Sequence, residues 1–324
     1  MTLQRRGKSK GEEGYGQGLA AIAAGDDALL DEEAMVETLL GCIESPDYQP
    51  PSLPSVAIEL MTLSQQPDVD LDDVLGVLER DSMIAGRILK LVQSPVYAGQ
   101  AQMTSLRDCL VRVGLATLRD EVMAIAIGMR VFKSPNYAET MELLRHHSTA
   151  TAQIARIVSH YSPIAAEYAF LAGLLHDVGI AGTLLALADG KAAKQKPPEL
   201  LAIWPALDRV HERAAEVMAD HWGLPVEIKM AIGAHHQVLI QGYPHPLAAT
   251  LAIADDLAHE FGFGVVPKTT EGGSLDGDCA GSHTSVDRTG AATLEQAREA
   301  LQLSDAQLDL IRGEAASIDP GAGG

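Results

Sequence analysis

Apolar residues recur at every third or fourth position through most of this chain, with polar residues filling the intervals. That spacing lays one apolar stripe along a helix, the face a packed helix needs. In the first half it predicts helices over residues 31–44, 55–66, 70–81, 82–94, 104–114 and 115–132. Asp31 and Ser82 stand as expected N-caps, and Gly114 as the turn between the last two. In the second half the pattern predicts helices over 138–161, 165–187, 208–222, 225–236 and 245–262, with Pro225 in a first turn. A last amphipathic stretch, 293–317, splits near Leu303-Ser304.

The pattern fails in three places. Residues 1–30 are Gly-rich, charged and without periodicity, which reads as a disordered tail. SPDYQPPSLPS is a proline-rich connector. Residues 264–292, including PKTTEGGSLDGDCAGSH, are too long and polar for a packed loop and read as flexible. The expected organisation is therefore a helical N-terminal subdomain at 31–135, a second helical subdomain at 136–263, and C-terminal helices at 293–318. No internal repeat is visible.

Composition agrees with an all-α fold. Aromatic residues make up only 4% of 324 residues and hydrophobic residues 47%. Ala and Leu dominate, and they suit helices better than strands. Twenty-four basic residues stand against 44 acidic ones, a formal charge of −20. A field of that sign disfavours phosphate backbones, so nucleic acid is not an expected partner. Three dispersed cysteines, Cys42, Cys109 and Cys279, point to a reducing cytoplasm rather than a disulfide framework. The basic N-terminus has no apolar stretch after it, and no run is read as long enough to span a bilayer, so a membrane is not expected.

The chemistry gathers in the second half. FLAGLLHDVGIAGTLLAL places His176 and Asp177 among leucines. A buried carboxylate without a partner costs several kcal/mol, so it calls for a cation, a metal or a dense hydrogen-bond set. Asp255 in LAIADDLA poses the same question, with Asp256 as its solvent-side neighbour. His147, His211 and the tandem His235-His236 lie on other helices, and a helical bundle can direct such groups to one point. Imidazole with carboxylate suits Mn, Fe, Zn or similar ions better than Ca. A metal site and a hydrogen-bonded polar cluster both satisfy this reading. His146, His160, His221, His245, His259 and His283 read as ordinary core or boundary residues.

Five segments, LRHHS, FLAGLLHDVG, HERAAEVMADHWGLP, IGAHHQ and IADDLA, follow one another in an order and spacing that resembles the HDOD family. That family is a bacterial signalling branch of the HD phosphohydrolase superfamily. The likeness runs from about Pro51 to about Glu260, and the stretch from Leu53 to Gly99 resembles the family's leading helical module. The resemblance implies an HD-domain-like helical bundle preceded by a helical N-terminal subdomain. It implies one or two divalent ions (Fe, Mn, Zn or Mg). His147, His176, Asp177 and Asp255 would hold the first, and His211, His235 and His236 the second, with Asp177 as the bridge and, if the chain is active, the catalytic carboxylate. Enzymatic relatives of the HD-GYP kind commonly read HDIGK, whereas this chain reads HDVGI. Ile180 replaces the cation, and the next one along is Lys191. Gly242, Tyr243 and Pro244 read as a chance turn rather than the GYP signature. The resemblance therefore implies a regulatory signalling protein, with a protein partner or small nucleotide ligand. The alternative is a metal-dependent phosphohydrolase acting on a nucleotide or cyclic dinucleotide.

Overall fold

The computed structural model describes residues 32–46, 48–92, 105–164, 166–189, 198–265 and 290–320. Asp31, Lys191, Cys279, His283, the tail at 1–30 and most of the 264–292 loop lie outside the described residues.

The first half contains α1 (Glu32–Ile43), α2 (Ser55–Ser64), α3 (Leu71–Leu78), α4 (Ser82–Val92) and α5 (Leu106–Arg130). The second contains α6 (Ala138–Tyr161), α7 (Ala169–Leu175), α8 (Val178–Asp189), α9 (Leu200–His221), α10 (Val226–Ile232) and α11 (Pro246–Glu260), followed by α12 (Ala291–Ala300) and α13 (Asp305–Ala315). Between α10 and α11, β1 (Leu239–Ile240) and β2 (Tyr243–Pro244) form a two-stranded antiparallel ladder. The fold is all-α, as the periodicity and composition led one to expect.

Local chemistry explains most boundaries. Asp70 caps α3 by accepting from the Asp72 N–H, and Ser105 caps α5 by accepting from the Asp108 N–H. At α4 the cap is Asp81, not Ser82: its Oδ1 accepts from the amides of Met83 and Ile84 at 3.0 and 3.1 Å. Two capping residues stand side by side there, and the carboxylate, one residue earlier, took the position. Gly114 interrupts α5 with φ 80°. Ser304 and Gln307 form a reciprocal capping box that starts α13.

Three further expectations need correction. The helix expected to start at Asp208 begins at Leu200 and carries Pro205 inside it. The expected single helix over 165–187 is interrupted at His176-Asp177, where the Ile180 N–H turns back to the Asp177 carbonyl. Its uniform apolar run hid that break. Ala169–Ala188 is, by length and composition, apolar enough to cross a membrane, contrary to the reading above. However, 89% of it is buried inside the fold, as a core helix is. The turn read at Gly242, Tyr243 and Pro244 is a tight hairpin, with Gln241 and Gly242 both left-handed at its tip.

The packing places the centre. α6 lies against α7, α11 and α13, while α8 lies against α9 and α1. α2 and α4 rest on α5, and α5 meets α7. α7 and α8 are thus inserted between α6 on one side and α9 on the other. Two glycines set how closely. A Cβ on Gly173 would lie 2.8 Å from the Ala152 Cα, so α7 presses directly on the α6 backbone. A Cβ on Gly179 would lie 2.0 Å from the His211 carbonyl oxygen, so α8 presses on the α9 backbone. These glycines stand three residues either side of His176.

Candidate metal centre

The close approach of α6, α7–α8, α9 and α11 brings all seven sequence-selected side chains together. His147 comes from the middle of α6, His176 and Asp177 from the α7–α8 break, and His211 from α9. His235 and His236 come from the turn after α10, and Asp255 from α11. His147, His176, Asp177, His211, His235 and Asp255 are each no more than 3% exposed, while His236 is half-buried.

The imidazoles are oriented from the backbone. His176 Nδ1 donates to the Gly173 carbonyl at 2.8 Å and His235 Nδ1 to the Ile232 carbonyl at 2.9 Å. His211 Nδ1 likewise faces the Asp208 carbonyl. Each of these acceptors lies three residues earlier in the same turn. His147 Nδ1 instead uses the Phe263 carbonyl at 3.1 Å, beyond α11. A proton committed at Nδ1 leaves Nε2 as the free lone pair.

Those Nε2 atoms converge. His147 and His176 bring theirs to 3.0 Å from one another; His211 places its own 3.1 Å from that of His236 and 3.4 Å from that of His235. Two lone pairs at such distances repel unless a proton or a cation stands between them. The carboxylates face the same space. Asp177 Oδ2 lies 3.3 Å from both His147 and His176 Nε2, while its Oδ1 lies 3.5 Å from His235 and 3.8 Å from His211 Nε2. The two oxygens of one carboxylate thus address two groups of histidines. Asp255 Oδ1 lies 3.1 Å from His147 Nε2. Yet Asp177 Oδ1 and Asp255 Oδ1, both buried, accept no hydrogen bond of normal geometry. Buried acceptor oxygens facing bare imidazole nitrogens are a donor set that fits a divalent cation.

The electrostatics point the same way. Burial works against a charge on His147, but the neighbouring Asp177 and Asp255 carboxylates outweigh it and lift the ring to about 9. Burial also opposes charge on His176, and the same two carboxylates raise it well above the usual range. Asp177 and Asp255 are both held well below the ordinary carboxylate range by the imidazoles around them, in spite of burial. His235 is lowered, by burial first and by its neighbour His236 next. The pocket attracts positive charge, whether as protons on its imidazoles or as a divalent cation.

Three groups of side chains could each hold an ion, with ligand atoms within 4.8 Å of one another: His147/His176/Asp177, His147/Asp255/His259 and His211/His235/His236. His259, expected as an ordinary core or boundary residue, stands in one of these groups. Its Nε2 lies 3.7 Å from Asp255 Oδ1, and its ring centre lies 5.1 Å from that of His147. The signal was present in the sequence, because His259 follows Asp255 by four residues and so shares its face of α11. Glu212 supports the other half, accepting from the His236 amide at 3.1 Å. After Gly179 comes Ile180, 1% exposed, so that position turns an apolar side chain into the core.

The family model for the HDOD domain matches residues 51–238, more than half of the chain. An uncharacterized protein of Treponema pallidum (strain Nichols) is 26% identical over 220 residues, covering 63% of this chain and 41% of that protein. The matching stretch therefore spans less than half of that relative. Two solved structures share the fold. One, from Marinobacter aquaeolei VT8, has a name that proposes a signal transduction protein; it is 19% identical with a TM-score of 0.59, over 91% of this chain and 67% of that one. The other, from Shewanella amazonensis SB2B, has a name that proposes a metal-dependent phosphohydrolase; it is 16% identical with a TM-score of 0.60, over 88% of this chain and 99% of that one.

Proposed function

Since the chain belongs to the HDOD family, we propose that it is a regulatory signalling protein whose HD-like core holds one or two divalent ions as part of its architecture. His147, His176, Asp177 and Asp255 would hold the first ion, joined by His259, and His211, His235 and His236 the second, with Asp177 shared. Of the ions expected, Mn, Fe and Zn fit this imidazole-rich set better than Mg, which prefers oxygen ligands. Bound there, such ions supply cross-links between four helices and positive charge for two buried carboxylates. A signalling protein or a small nucleotide is the partner in this reading.

The observation that carries the proposal is the sealing of the ligand atoms. Six of the seven residues are at most 3% exposed, and Ile180 offers no cation to an incoming phosphate. A catalytic ion keeps an open coordination position, whereas an architectural one is closed by its protein ligands. A second reading, metal-dependent phosphoester hydrolysis on a nucleotide or cyclic dinucleotide, is favoured by one specific feature. Asp177 presents a different oxygen to each histidine group, the arrangement a two-ion centre uses to activate water.

Purified protein reconstituted with Mn or Fe, then offered p-nitrophenyl phosphate esters and cyclic dinucleotides, separates the two. Bound metal with no turnover is the expected result. Turnover that disappears in Asp177→Ala with the fold intact would replace the regulatory reading by the hydrolytic one.

Proton release gives an independent check on the site. His147, lifted to about 9 in the metal-free chain, is protonated at pH 7, and His176 is raised in the same direction. A metal must displace those protons, so affinity should climb with pH up to about 9, roughly tenfold per unit for each proton displaced. Titration calorimetry of Zn or Mn in buffers of different ionisation enthalpy should count one to two protons released. Affinity that is flat between pH 6 and 8 would show that the metal displaces no proton from these rings.

A further inference from the structure

A cavity of about 660 Å³ lies on the far side of α6 from the histidine cluster. Arg145, Thr149, Gln153 and Arg156 line it from α6; counted around a helix, they stand roughly opposite His147. Phe170 and Leu174 of α7 form its floor, just before His176, and Met129 and Phe132 close it from the end of α5. Its size is that of a small-molecule site, of the order of 300–1,000 Å³, and its apolar side chains share the lining with four basic and four acidic ones.

The charges around the rim are unevenly committed. Arg145 forks onto Glu142 at 2.7 and 3.0 Å, and Arg156 reaches Glu121 at 3.3 Å while lying 3.9 Å over the Phe170 ring. On the C-terminal wall Glu314 accepts from the Tyr161 hydroxyl, and Asp319 stands nearby. Two cations remain: Arg87 of α4 and Lys133 after α5 border the cavity, are exposed, and make no ion pair among the described residues. In a chain of formal charge −20, two uncommitted cations at the rim of a cavity with an apolar floor are a local exception to the field.

We infer that this cavity is a binding site for a small amphipathic anion: one phosphate, carboxylate or sulfonate head, held by Arg87 and Lys133, on an apolar aromatic or acyl body against Met129, Phe132 and Phe170. It deepens the regulatory reading by giving the signal a place to enter, since α6 and α7 wall the cavity on one face and carry His147 and lead to His176 on the other. The binding itself needs no metal.

The test uses the full chain with three anions: 1-anilinonaphthalene-8-sulfonate, dodecanoate and adenosine monophosphate. Inorganic phosphate and neutral N-phenyl-1-naphthylamine serve as half-probes. Calorimetry or fluorescence should give saturable binding of at least one amphipathic anion, near one per chain, with at least tenfold weaker binding of the half-probes. Which anion wins distinguishes an acyl, an aryl and a nucleotide source. Arg87→Glu and Lys133→Glu should each weaken it at least tenfold. Gly128→Leu fills the cavity from α5, where a Cβ meets nothing within 4 Å. It should abolish binding while the thermal midpoint stays level or rises. Absence of saturable binding, or binding that survives Gly128→Leu and both charge reversals, overturns the site. Either failure leaves the metal reading standing, because metal content and proton release are measured without any of these probes.

Discussion

Asp177→Asn should empty the whole centre rather than half of it. Its Oδ2 serves the His147 and His176 group and its Oδ1 the His211 and His235 group, so one substitution withdraws a ligand from each. The amide keeps the shape of the side chain but loses the charge that draws cations in and presents an N–H₂ to bare imidazoles. Metal per chain, measured by mass spectrometry after dialysis, should fall at least tenfold for both ions. Stability should fall with it. An ion present at a thousand times its Kd contributes about 4 kcal/mol. At an unfolding entropy of about 2.1 cal/mol/K per residue, a chain of this size should lose roughly 6 °C in Tm per ion. Chelation of the unaltered protein should lower its Tm by a similar amount. A variant that keeps both ions at unchanged affinity would show that Asp177 is not shared.

Gly179→Ala is the second large effect, and it acts through the backbone. The added methyl would stand 2.0 Å from the His211 carbonyl oxygen and 2.6 Å from the Ala215 nitrogen. Neither is the yielding end of a flexible side chain, so α8 and α9 must separate. Overpacking of a core typically costs 1–3 kcal/mol, and contact with backbone belongs at or beyond the upper end, about 3 kcal/mol or more. Urea unfolding should show that loss in the metal-free chain, and metal affinity should fall further because His211 is carried away from Asp177. Gly76→Ala is the control. It lies within α3 with nothing within 4 Å of the new methyl, so the exchange should stabilise by up to about 1 kcal/mol. Equal effects at the two positions would mean that the contact between α8 and α9 is not tight.

Much of this was legible in the residues themselves. The bounds of α6 follow from its apolar stripe, the interruption at Gly114 from a residue free to turn left-handed, and the start of α13 from Ser304 with Gln307 three residues on. The seven side chains stand out in the sequence because carboxylates among leucines need partners, and those partners have to come from other helices. What stayed hidden was tertiary. The break at His176-Asp177 lies in a run so uniformly apolar that nothing local marks it. The early start of α9 was masked by Pro205, which reads as a stop but lies within the helix. His259 has its spacing to Asp255 written in the chain, but its approach to His147 depends on how α11 crosses α6.

The hydrogen bonds that orient the imidazoles divide the centre in an unexpected way. His176, His211 and His235 are each steered by a carbonyl of their own turn, so their aim travels with the helix they stand on. His147 is aimed by residue 263, 116 positions away, in the strand of chain that leaves α11. A tug on that exit segment would rotate one ring and leave the other three untouched. The first half of the centre therefore has a handle outside its own helices, and a displacement at residue 263 has a mechanical route to a fully buried ring.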